Sequence, residues 1–77
     1  SPGDLEFLEV HGKFLSYRRT DGEEENVVAF NLSDEPSVFR LPSGNKYIDL
    51  LKGPAEYVDS LTIKGMSAFV GRKNSQK

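Results

Sequence analysis

The chain has 77 residues, ten basic and twelve acidic for a net charge of −2, with five Phe, three Tyr and no Cys. That length makes one small domain, which buries roughly 60–65% of the surface its unfolded form exposes, and neither a disulfide nor a Cys/His zinc site can supplement its core. The near balance of charge offers no concentrated basic face for nucleic acid, and no apolar run approaches the roughly 20 residues of a membrane span.

The opening Ser1-Pro2-Gly3-Asp4 carries no initiator Met, as expected of a cut or processed chain, and nothing resembles a signal peptide. Residues 5–10 read as a strand with Leu5 and Phe7 on one face and Leu8 and Val10 on the other. That change of face predicts a bulge near Phe7-Leu8. His11-Gly12-Lys13 is a tight connection whose glycine can take positive φ. Residues 14–19 form a second strand, with Leu15 and Tyr17 on one face. Residues 20–25 are a polar hairpin loop marked by Asp21-Gly22, and Glu23, Glu24 and Glu25 are expected to be solvated there.

Residues 26–33 organise the rest. Val27, Ala29 and Asn31 point one way, and Val28, Phe30 and Leu32 the other. A strand apolar on both sides is expected to be central and covered on both faces. The first three strands then make an antiparallel meander. Asp34-Glu35-Pro36 breaks the pattern. In residues 37–41, Phe39 and Leu41 point inward and Arg40 outward, and residues 42–45 turn. Residues 47–51 form a strand stopped at Lys52-Gly53-Pro54. Residues 55–59 read as a short strand or an irregular edge, residues 61–63 alternate, and residues 66–70 form the last strand.

No window holds a helical period. Short strands at roughly 8–12-residue spacing indicate an all-β fold, a small antiparallel β-sandwich of Greek-key type with about seven or eight strands. The domain is expected to span 1–71, and the polar tail 72–77 to fray. The expected core is Leu5, Leu15, Tyr17, Val28, Phe30, Phe39, Ile48, Leu50, Ile63 and Phe69.

In order and spacing these strands resemble the C-terminal β-sandwich, domain C, of the α-amylase family (glycoside hydrolase family 13). The likeness is to its maltogenic amylase, cyclomaltodextrinase and α-glucosidase branches, and it runs over nearly the whole chain. Residues 3–8 (GDLEFL) resemble its first strand, residues 14–19 (FLSYRR) its second, and residues 27–33 (VVAFNLS) its third. Residues 47–53 (YIDLLKG) resemble its D-L-L-T-G strand and turn, and residues 61–70 its closing strands. Lys52 in place of the common Thr, and Lys64-Gly65-Met66 in place of a Pro-rich approach, depart from the pattern in turns. The resemblance implies a parent enzyme that hydrolyses or transfers α-glucosidic bonds through a carboxylate pair on an upstream (β/α)₈ barrel. It further implies that this domain packs on that barrel. No residue here matches a catalytic motif of the family, and no cofactor is implied. An intracellular enzyme of maltodextrin use fits the absence of Cys.

Read as sites, the polar residues are structural. Asn31, in an apolar strand, needs partners from an adjoining turn, and Asp49 is expected to pair with an arginine or close a turn. His11, the single histidine, sits in a loop without the companions of a triad. Arg18 and Arg19 should split, one toward solvent and one toward an acid or the barrel. Tyr57, beside Glu56 and Asp59, and Tyr47 are candidate contacts for an α-glucan, because sugar C–H faces stack on aromatic rings. No catalytic, cofactor or metal residue is expected.

Overall fold

The structure is a computed structural model that describes residues 4–42, 45–53 and 55–74. Eight strands carry the fold: β1 (Asp4–His11), β2 (Phe14–Asp21), β3 (Glu24–Asn31), β4 (Ser37–Arg40), β5 (Lys46–Asp49), β6 (Glu56–Val58), β7 (Ser60–Ile63) and β8 (Ser67–Asn74). Six form one sheet in the order β1-β2-β3-β8-β5-β6, and β4 and β7 pair as a second, two-stranded sheet. All pairings are antiparallel.

Local chemistry explains the first half. Gly12 and Gly22 each open a two-residue hairpin loop with φ of 53° and 67°, a backbone that side chains disfavour. The meander β1-β2-β3 follows, and the expected bulge in β1 falls between Phe7 and Glu9. It turns Leu8 toward the core, against which that residue packs. After β3 the chain leaves the sheet at Asp34-Glu35-Pro36 and makes β4. It returns as β5 and β6, crosses again as β7, and re-enters beside β3 as β8. Asp59, with φ of 73°, is the single residue between β6 and β7. There the chain changes sheets, and the Asp59 carbonyl accepts the Leu41 N–H at 2.8 Å.

The two sheets enclose Phe14, Val27, Ala29, Phe39, Leu41, Tyr47, Ile63 and Phe69. Phe39, fully buried, lies with its ring 6.0 Å from Phe14 and 6.4 Å from Phe69. Of the expected core only Phe39, Ile63 and Phe69 belong to it. Leu15, Tyr17, Val28 and Ile48 are half-buried, and Leu5, Phe30 and Leu50 are exposed, all on the opposite face of the large sheet. The central strand is likewise covered on one side only: Val27, Ala29 and Asn31 are buried, while Phe30 and Leu32 stand in solvent. Apolar residues stand on both faces of β2, β3 and β5, and a two-stranded second sheet can cover one of those faces. β8 also runs past the expected boundary at 71. Lys73 stands opposite Tyr47 and Asn74 opposite Lys46, so the sheet extends into the segment expected to fray. Residues 75–77, the turn residues Ser43 and Gly44, Pro54, and the first three residues lie outside the described set.

Candidate functional site

Two buried polar side chains, Asn31 and Asp49, hold turns in place. Asn31, 1% exposed, donates through Nδ2 to the carbonyls of Glu35 (2.8 Å), Ile63 (3.0 Å) and Lys64 (3.2 Å). Its Oδ1 accepts from Ser33 N and Ser33 Oγ. One amide thus ties the β3 end to the turn after it and to the end of β7. Asp49 accepts the N–H groups of Leu51 and Lys52 at 2.8 and 3.0 Å and closes the turn after β5.

A second cluster lies at the open end of the sandwich. Glu25 accepts the Tyr47 hydroxyl at 2.6 Å, and it stands 3.6 Å from Arg18 and 3.8 Å from Lys73. Arg18 also donates to Glu6. Glu25 was expected at a solvated tip with Glu23 and Glu24. Instead its side chain is 12% exposed, because it lies opposite Thr20 in β3 and so on the inner face. Tyr47 is fully buried, with its ring in the core between the sheets. Burial first, and then the bond to Glu25, push its phenol well above the usual value.

Glu6 and Glu25 are both engaged by Arg18, and His11 has an exposed ring stacked on Phe14 and 3.9 Å from Glu9. No three His, Cys, Asp or Glu side chains among the described residues gather to hold a metal.

Two surfaces remain. The first is a pair of shallow clefts that share Asp49, Lys52 and Tyr57 as walls, of about 220 and 260 Å³. Thr62, Lys64 and Phe69 complete one of them, and Gly53 and Ala55 the other. Tyr57 is half-buried, its ring perpendicular to Phe69 at 5.8 Å.

The second is the outer face of the six-stranded sheet. Register places its side chains in cross-strand rows. One row is Val10, Leu15, Phe30 and Ala68, and the next is Phe7, Tyr17, Val28 and Val70, continued by Leu50 through its N–H bond to the Val70 carbonyl. A third is Leu5, Arg19, Asn26, Arg72, Ile48 and Glu56. Alternation adds Leu32 and Met66 at one end, and Asp21, Glu24 and Lys46 at the other. Phe7 is 59% exposed, Val10 68%, Leu32 57% and Met66 70%. This face was not legible as a site, because its residues read as core.

The comparisons with known proteins follow this architecture. No protein-family model matches the chain. A probable α-glucosidase from Rhizobium meliloti (strain 1021) is 37% identical over 51 residues, which is 66% of this chain and 9% of that protein. An α-amylase from Geobacillus thermoleovorans, solved in complex with acarbose, superposes with a TM-score of 0.85 at 18% identity, over 97% of this chain and 19% of that one. An Anoxybacillus α-amylase gives a TM-score of 0.80, also at 18% identity, over 97% of this chain and 18% of that one. At such identity the likeness to the solved enzymes is one of fold. The chain spans less than a fifth of the length of each of these three proteins. In fold, and in part of its sequence, it resembles enzymes of the α-amylase family.

Proposed function

We propose that this chain is the non-catalytic C-terminal β-domain of an enzyme that hydrolyses or transfers α-glucosidic bonds in starch-derived glucans. In this reading it packs on a (β/α)₈ catalytic barrel of the same polypeptide and stabilises it. The observation that carries the proposal is the outer face. Of the ten large apolar residues exposed in the described structure, Leu5, Phe7, Val10, Phe30, Leu32, Leu50, Val58 and Met66 lie on that side of one sheet. A contiguous apolar face of that kind marks a surface that is covered in the working molecule. The occupant is the remainder of a longer chain, in keeping with the 9–19% shares of the proteins it matches.

The test compares two contexts. Val10→Glu with Leu32→Glu is expected to change the stability of the isolated 77-residue chain by no more than roughly 0.5 kcal/mol per site, since both side chains are mostly exposed there. In the whole polypeptide the same pair buries two carboxylates without partners and lowers the melting temperature by several degrees. Equal effects in the two contexts overturn the proposal.

The paired clefts around Tyr57 support a second reading, a module that presents Tyr57 to an α-glucan. Their volumes fall below the roughly 300–1,000 Å³ of pockets for drug-sized ligands, so each takes a single sugar unit at most. Amide resonances of residues 49–64 should then shift with millimolar maltoheptaose and cease to do so in Tyr57→Ala. Unmoved resonances in the unsubstituted chain end that reading.

A further inference from the structure

We infer that Arg19 and Arg72, on either side of Asn26 in one cross-strand row, are the charged anchor of the outer face, and that they receive Asp or Glu carboxylates from the surface covering it. The inference rests on the packing reading above and names the chemistry of the partner surface.

Four observations converge. First, Arg19 and Arg72 are exposed and stand opposite Asn26 from the two flanking strands, β2 and β8. Strands spaced about 4.8 Å apart put their Cα atoms roughly 10 Å from one another, within reach of a common acceptor for side chains of this length. Second, both are without an ion pair among the described residues, whereas their chain neighbours Arg18 and Lys73, on the inner face, each lie within 4.0 Å of Glu25. The acids nearest the outer pair on that face, Asp21, Glu24 and Glu56, make no ion pair with it among the described residues. Third, Asn26 Oδ1 is enclosed and accepts no hydrogen bond, so the residue between the two arginines engages neither of them through that oxygen. Fourth, the row borders the apolar field of Phe7, Tyr17, Val28 and Val70 on one side. On the other side Asp21 and Glu24 begin an acidic rim.

The energetics select the partner's chemistry. A body that covers the apolar rows draws the adjacent guanidiniums partly out of water, and a guanidinium so placed is costly unless acceptors meet it. Carboxylates fit best, because the planar fork of arginine pairs with them in a bidentate geometry. The rim of Asp21 and Glu24 repels acids beyond the row and so confines the incoming carboxylates to it. A nucleic-acid backbone is a poor alternative: it needs a longer basic track, and two of the three rows here are apolar.

The experiment is run on the polypeptide that carries this stretch, with the isolated 77-residue chain as the control for folding. Arg19→Glu with Arg72→Glu is expected to lower the melting temperature of the whole polypeptide by several degrees at low salt. Most of that loss should vanish at 1 M NaCl, where the screening length falls to about 3 Å, while the isolated chain melts unchanged throughout. Arg19→Lys with Arg72→Lys should recover part of the loss, since charge returns without the bidentate fork. The apolar-face pair, Val10→Glu with Leu32→Glu, separates the two claims. If it destabilises the whole polypeptide and the arginine reversal does not, the packing reading stands and the anchor is overturned. If neither has an effect, both fall. A salt-independent loss from the arginine reversal also overturns the anchor, because it signals damage to packing and not to charge.

Discussion

Asn31 and Tyr47 are fully buried side chains whose polar atoms are committed to partners, and each makes a separate prediction. Replacing Asn31 by Leu leaves three carbonyls and the Ser33 hydroxyl without the amide that joins them. The cost is on the order of 2–4 kcal/mol, and at roughly 4–8 °C per kcal/mol for a domain this small the isolated chain should melt at least 8 °C lower, a fall that calorimetry reads directly. For Tyr47 the sign follows from its phenol being held protonated in the fold beyond the usual value near 10. Below that value the bond to Glu25 contributes in full. As pH climbs above it, the unfolded chain releases the proton while the folded chain keeps it, and stability falls. Tyr47→Phe should therefore flatten the alkaline limb of a stability-against-pH curve above about pH 10, with a lower but flatter profile; an unchanged limb assigns the loss to other groups. The need of Asn31 for partners was legible in the sequence, since an amide inside an apolar strand must be satisfied. The role of Glu25 was not. It sits third in a run of three identical acids, and only the register of β2 on β3 shows which of them turns inward.

At the scale of strands, turn chemistry carried the reading well and alternation carried it poorly. Gly12, Asp21-Gly22 and the break at 34–36 put the meander and its exit where they are. The bulge at Phe7-Leu8 could be read from the switch of apolar residues between faces. What alternation could not supply was the choice of face. β2 offers Leu15 and Tyr17 against Phe14 and Ser16, and β3 offers Val28 and Phe30 against Val27 and Ala29. In both strands the set of larger side chains points away from the core. The rule that the bulkier set is buried fails here, because the two-stranded second sheet covers the face that carries the smaller set. The turn into β8 has its own check. A methyl group on Gly65 would meet the Asp34 backbone at 2.6 Å, a contact that no side-chain rotation relieves. Gly65→Ala is expected to cost about 1–3 kcal/mol and to loosen the Met66 N–H bond to the Ser33 carbonyl, now 2.8 Å. Amide exchange at Met66 would report that loosening even if global stability barely moved.

At the scale of the whole molecule the sandwich is lopsided, with six strands against two. The inner face has its cover, and the outer face presents three rows that combine apolar side chains with a pair of unspent arginines. That asymmetry joins the packing proposal to its charged anchor, and the paired substitutions described above test them in one series. It also gives the seam of the large sheet an unusual vulnerability. β8, the last of the eight strands in sequence, lies between β3 and β5, so the backbone ladders of the meander and of the β5-β6 hairpin are joined only by way of it among the described residues. A growing chain can form the β1-β2-β3 meander early, yet the sheet cannot become one body until its last strand has been synthesised. A premature stop or a proteolytic cut just before Ser67 would leave two half-sheets with raw edges on either side of the gap, a species built to aggregate. Arrival of the last of these strands is in this way a condition for closing the sheet over the core.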